Sequence, residues 1–162
     1  MSPLELSAFV SCLRGEGLHA ALLHLNRRTS HRYTGVFRFD GDMLRCVRMV
    51  DKWDAGVTGR ADVPMAEAYC AHVHRTGEAV RVDHGPTDPR FPWMASSPFL
   101  SYCGAVICAP GGAHWGALCH FDTSPCEAKD SDMPLVVEAA RLLYAAAVRE
   151  EAATGARRSA DS

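Results

Sequence analysis

The chain has 162 residues, 48% of them apolar and 22% charged, with a formal net charge of −2. That length and composition suit one globular soluble domain that buries roughly two-thirds of the surface its unfolded chain exposes. They exclude attraction to nucleic acid or to an anionic membrane by net field alone, and no apolar run approaches the ~18 residues that cross a bilayer.

Leu4, Leu6, Phe9, Val10 and Leu13 fall at helical spacing, and beyond Gly15 and Gly17 a second helical pattern runs from Leu18 to Arg28. Residues 33–39 read as a strand, Asp40-Gly41-Asp42 as a hairpin turn and Met43 to Val50 as the returning strand. Residues 51–63 carry Trp53, Gly56, Gly59 and several charges, and read as a loop. Pro64 suits the first turn of a helix that runs to about Arg75 and ends at Gly77. Ala79 to Asp83 reads as a short strand. The segment 84–100 holds four prolines and reads as a compact irregular connection.

Residues 102–109 and 115–121 are almost unbroken apolar runs on either side of Pro110-Gly111-Gly112. They predict two strands joined by a turn and covered on both faces, as at the centre of a sheet. Asp130, Ser131 and Asp132 offer N-caps to a last helix with the stripe Leu135, Val136, Ala139, Leu142, Leu143 and Ala146. One domain over residues 1–152 is expected, with its core at about 17–148 and a polar, disordered tail over 153–162. The order of elements gives an α+β fold: a central antiparallel sheet, the terminal helices on one face and the irregular connection on the other.

Gly116-Ala117-Leu118-Cys119-His120-Phe121-Asp122, preceded by Tyr102-Cys103-Gly104-Ala105-Val106 and followed by Ser131-Asp132, resembles the last strand pair of a GAF domain. Tyr69-Cys70-Ala71-His72-Val73, Thr76-Gly77-Glu78 and Asp88-Pro89-Arg90-Phe91 fall upstream in the order and spacing of sensor-kinase-type GAF domains. The resemblance implies a GAF/PAS-like sheet with loops and short helices over a ligand pocket. It also implies a homodimer through the terminal helices, to which the stripes of Phe9, Val10, Leu13, Leu135, Leu142 and Leu143 could contribute.

The seven cysteines (12, 46, 70, 103, 108, 119 and 126) are odd in number and form no Cys-x-x-Cys. With no basic or long apolar segment in Met1-Ser2-Pro3-Leu4-Glu5 to suggest export, they read as reduced thiols in the cytoplasm. Of Cys70, His72 and His74 only the first and last share a face of the predicted helix. No second pair of ligands lies near them, so a structural metal site is not expected. Some stand-alone GAF proteins reduce free methionine-R-sulfoxide with pocket cysteines. Here residues 85–100 contain no cysteine, Cys70 reads as mid-helix, and Cys103 could serve only if it faced the pocket. Cys103 and Cys108 face opposite sides of a regular strand, and Cys119 joins one or the other according to hairpin register. Residues 85–100 also lack the Cys-His pair of bilin-binding GAF domains. A lone histidine such as His72, His74 or His84 is more often polar surface than a haem ligand, so no cofactor is named.

The expected ligand-binding set is Trp53, Tyr69, Cys70, Arg90, Phe91, Trp93, Tyr102 and Cys103, aromatic walls with a few polar groups. Arg90 suits a small anion, as in GAF proteins that bind nitrate, or else a pin from its loop to Asp88. The reading that follows is a cytoplasmic sensor that binds a small molecule or small anion and passes occupancy to a partner protein, without chemistry of its own. The alternative is a thiol-dependent reductase of a small oxidised metabolite.

Overall fold

The two apolar runs flanking Pro110-Gly111-Gly112 pair as strands at the middle of a sheet. In the computed structural model, which describes residues 3–160, the chain runs α1 (Pro3–Glu16), α2 (Leu18–Arg27), β1 (Tyr33–Asp40), β2 (Met43–Asp51) and β3 (Val63–Pro64). It continues through α3 (Cys70–Thr76), β4 (Val80–Val82), β5 (Ser101–Cys108), β6 (His114–Asp122), α4 (Asp132–Ala140) and α5 (Tyr144–Ala160). All strand pairs are antiparallel, in the order β3-β2-β1-β6-β5-β4. Two long hairpins therefore meet at β1 and β6, and the edges are strands of only two and three residues. Such short edges offer little unpaired backbone to another chain.

Turn chemistry sets the joints. The β1–β2 hairpin closes through Gly41-Asp42, and Gly41 supplies the positive φ of 61° that the tight turn needs. Gly77 ends α3 at φ 70°, with its N–H donating to the carbonyl of Val73 at 2.8 Å.

Strand alternation divides the interior in two. On one face Val36, Ile107 and Leu118 pack with Phe9, Leu22, Leu25, Val136 and Leu143 of the helices. On the other, Phe37, Tyr102, Cys119 and Phe121 pack with Tyr69, Val73 and Phe91 of α3 and the connection. Phe9, Leu135 and Leu143 are thus consumed by the core of their own chain, while Leu142 stays 46% exposed.

A polar seam crosses the helix-side core. Asn26 donates to the Arg32 carbonyl (3.1 Å) and to Thr34 Oγ1 (3.0 Å). Thr34 Oγ1 is also hydrogen-bonded to His120 Nδ1, 2.7 Å away. His31 stacks on His120 with ring centroids 5.8 Å apart, and Thr29 bridges from His31 Nδ1 to Asp132 at the start of α4.

Three local expectations change. Pro64 does not open a helix: it pairs with Met43 as β3, a 3-10 turn follows over Met65–Glu67, and the extended backbone of Ala68 breaks the path. The α-helix starts only at Cys70, so this residue opens α3 rather than sitting within it. The last helix is two, because the N–H groups of Leu142 and Leu143 bond back three residues and tighten the chain between α4 and α5. Where the sequence reads as a tail from residue 153, α5 continues to Ala160, and residues 161–162 lie outside the described residues. No described helix is long and apolar enough to cross a membrane.

Candidate functional site

The residues that close the site come from both central hairpins and from the connection over them. A cavity of about 50 Å³ lies between the sheet and the start of α3. Phe37, Leu44, Cys119 and Phe121 form its floor, and Tyr69, Cys70, Met94 and Phe99 are among its other lining residues, together with Tyr102. A wider cleft of about 330 Å³, lined by Arg60, Trp93 and Ser97 among others, shares Glu67, Met94 and Phe99 with it. The site is therefore an apolar inner chamber with a more polar outer one beside it.

Two tyrosines give the inner chamber its shape. The Tyr69 hydroxyl donates to the Phe99 carbonyl at 2.9 Å, and its ring meets Tyr102 at 5.4 Å and Phe91 at 5.2 Å. Tyr102 lies along its own strand so that its hydroxyl covers Gly104, where a Cβ would overlap it. Gly104 pairs with Cys119 across the β5–β6 ladder, which brings that hydroxyl beside Cys119. On its other side the same hydroxyl is 3.1 Å from Cys70 Sγ. Replacing Gly104 by Ala is expected to drive the Tyr102 ring out of this position and to cost about 1–3 kcal/mol. Urea unfolding measures it, and an unchanged midpoint would refute the packing described.

The thiols Cys70 and Cys119 both line the inner chamber, and both are almost fully buried. The neighbouring Cys119 thiol, ahead of the opposing effect of burial, holds the Cys70 thiol below its ordinary value, helped by Tyr102 and by the charge of Arg60. Burial and the same partnership push Cys119 well above it. Of the two, Cys70 is the one that ionises first and Cys119 the one that resists. Burial also raises the Tyr102 hydroxyl well above the usual tyrosine value. Both hydroxyls and at least one thiol are therefore protonated near neutrality, which leaves the inner chamber with polar groups but no fixed positive charge.

Of the residues expected from sequence, Tyr69, Cys70 and Tyr102 line the inner chamber and Trp93 the outer one. Phe91 is fully buried behind them, between Tyr69 and Trp93. Three others sit elsewhere. Cys103 follows Tyr102 on a regular strand and so points to the opposite face, where it meets Met133 of α4 at 3.2 Å. Burial there pushes its thiol up to about 12. Trp53 is 71% exposed on the loop after β2, with the Arg32 guanidinium 4.2 Å over its ring. Arg90 is pinned: it donates to both carboxylate oxygens of Asp88 (3.0 and 2.8 Å) and to the Arg81 carbonyl (2.7 Å). Its guanidinium is committed to its own loop and to β4.

Phe37, Leu44, Glu67, Ala68, Met94, Phe99, Cys119 and Phe121 complete the wall and were not among the expected set. Strand alternation would have found Cys119 and Phe121 once Tyr102 was placed, had the register been known. Arg60, over the Phe99 ring at 4.5 Å, comes from a loop with no periodicity to announce it. Among the described residues no group of three His, Cys, Asp or Glu side chains could hold a metal ion.

A curled antiparallel sheet with helices behind it and a chamber in front, closed by short helices and a proline-rich connection, defines the class of small-ligand regulatory domains. The chain belongs to the GAF domain family, whose family model matches residues 15–147. Among solved structures, it is similar to the GAF domain of an Acinetobacter phosphoenolpyruvate-protein phosphotransferase (TM-score 0.71, 13% identity, 94% of this chain and 97% of that one). It is similar also to the free methionine-R-sulfoxide reductase of Neisseria meningitidis in complex with its substrate (TM-score 0.68, 16% identity, 95% of each chain). A third is the chromophore-binding domain of Stigmatella aurantiaca phytochrome P1 (TM-score 0.68, 10% identity, 88% of this chain and 58% of that one). At these identities the likeness is one of fold alone. No curated protein sequence matches the chain.

Proposed function

We propose that this GAF domain is a cytoplasmic sensor that takes a small, uncharged ligand into the chamber under α3 and passes occupancy to a partner protein through its helical layer. It has no chemistry of its own in this reading. The observation that carries it is the two-part chamber, an apolar inner part beside a wider cleft, whose inner part is lined by Tyr69, Tyr102, Cys70, Cys119 and Glu67 among others but by no Lys or Arg. A small anion is less well served, because Arg90 is already tied to Asp88. The β5 and β6 strands touch both cores, so a ligand that displaces Tyr102 or Cys119 shifts side chains one residue away that pack on α4. Exposed Leu142 and Val148 give the same helical layer an apolar surface for a homodimer or a signalling partner.

Native mass spectrometry of freshly purified, reduced protein, followed by a thermal-shift screen of uncharged metabolites and small anions including nitrate, tests the reading. An uncharged compound is expected to raise the melting temperature. The rise should shrink in Trp93→Ala, which opens the outer cleft, and in Ala68→Leu, which fills the inner chamber. Equal responses in all three proteins would sink the proposal, and the same spectra report whether the chain is a dimer. The reductase alternative, in the form that joins Cys70 to Cys103, lacks support, since the sheet stands between these thiols.

A further inference from the structure

Two cysteines share the inner chamber, and neither is needed merely to bind a ligand there. Cys70 comes from the start of α3 and Cys119 from the middle of β6; they are 49 positions apart in the chain and line the same chamber in the fold. Tyr102 bridges the site, its hydroxyl 3.1 Å from Cys70 Sγ and placed over Gly104, the ladder partner of Cys119. The remaining five cysteines are distributed differently. Cys108 is exposed, Cys12, Cys46 and Cys126 are half-buried, and Cys103 is sealed on the far face. A chamber of about 50 Å³ exceeds the roughly 10–15 Å³ that one water molecule requires, so it admits a molecule the size of hydrogen peroxide.

We propose that Cys70 and Cys119 form a peroxide-reactive dithiol site, oxidised within the chamber to a reversible disulfide. The Cys70 sulfur, after releasing its proton to solvent, attacks one oxygen of hydrogen peroxide. An S–O bond forms as the O–O bond breaks, hydroxide leaves and takes up a proton as water, and Cys70 becomes a sulfenic acid. The Cys119 sulfur then attacks the Cys70 sulfur. An S–S bond forms, the S–O bond breaks, and the hydroxyl departs as a second water with the Cys119 proton. Two thiols and one peroxide give one disulfide and two waters, two electrons passing from the dithiol to the peroxide. The Tyr102 hydroxyl, kept protonated by its burial, is placed to donate to the developing thiolate. The product ties α3 to the centre of the sheet across the chamber. The inference does not rest on the sensor reading: a chain that bound no ligand would still form the link.

The test is to treat the reduced full chain with one equivalent of hydrogen peroxide, block remaining thiols with an alkylating agent, and map peptides without reduction. A Cys70–Cys119 linked peptide, lighter by two hydrogens than its reduced components and released by dithiothreitol, is expected from the wild type. It should persist in Cys103→Ser and vanish in Cys119→Ser, where one equivalent of peroxide leaves Cys70 as the sulfenic acid. Oxidation confined to exposed Cys108, or Cys70 oxidised in wild type without the link, would overturn the proposal. The decisive mapping is on wild type, so a misfolded variant cannot mask the result. Ligand-induced melting shifts without a linked peptide would leave the sensor reading standing and remove this one.

Discussion

Acidification from pH 7 to pH 4 is expected to cost the fold about 3 kcal/mol through His120 alone. This imidazole is buried and hydrogen-bonded through Nδ1 to the neutral Thr34 hydroxyl, an environment that disfavours the cation. Burial, with the nearby His31 and the charge of Lys52 acting in the same sense, lowers its folded value from 6.5 to about 3. Below pH 6.5 the unfolded chain binds the proton and the native chain does not. Stability is therefore complete above that pH and falls as pH drops, until the native imidazole also titrates near 3. His31, lowered by its own burial against the pull of Asp132, Asp122 and Asp83, adds in the same direction. The carboxylates of Asp51 and Asp83, held low chiefly by Arg32 and Arg81, act only below their ordinary value of 3.8. The histidine window thus lies at higher pH than theirs. Urea midpoints at pH 7 and 4.5 should separate clearly in wild type and much less in His120→Gln. Equal wild-type midpoints at the two pH values would contradict the buried neutral histidine.

Gly116→Val is expected to destabilise by about 3 kcal/mol, at the upper end for overpacking. Gly116 lies in β6, opposite Arg38 on one side and Ile107 on the other, so both of its neighbours are strands. A Cβ at this position would overlap the backbone carbonyl oxygen of Phe37. A flexible side chain could swing away from such an overlap, but here β1 itself would have to leave β6, and both cores are built on that pairing. Gly111 sits in open space in the adjoining turn. Gly111→Ala, a surface change, should therefore stay within about 0.5 kcal/mol. Chemical denaturation of the two variants beside wild type makes the comparison, and similar losses in both would show that the ladder tolerates crowding at β6.

The hairpins were legible because their signals are local: apolar runs, Gly41 at a tight turn and Gly77 at a helix end. Tyr69, Cys70, Trp93 and Tyr102 could be gathered because the resemblance ordered their segments. Cys103 could not accompany Tyr102, since neighbours on a strand face opposite ways, and alternation alone rules out one of the two. Which one faces the chamber depends on what covers each face of the sheet, and that is decided by residues of the helices and the connection, not by the strand itself. The register of Cys119 was hidden by the irregularity between Ile107 and Cys108 at the end of the β5–β6 ladder. Trp53 misled because an exposed aromatic ring can be held by a cation, here Arg32, as readily as by a pocket. Pro64 misled because a proline that suits a helix start also suits a sheet edge.

The single sheet that separates two unlike interiors has a consequence for how the gene can change length. Adding or deleting one codon within residues 101–107 or 116–121 would exchange every subsequent side chain of that strand between the helix-packed and chamber-facing interiors. A two-codon change would preserve facing but shift the ladder. The segments 52–62 and 109–113 join strands without belonging to either interior's alternation. Tolerated insertions in a codon-by-codon library should therefore accumulate in those two loops and be almost absent from β5 and β6.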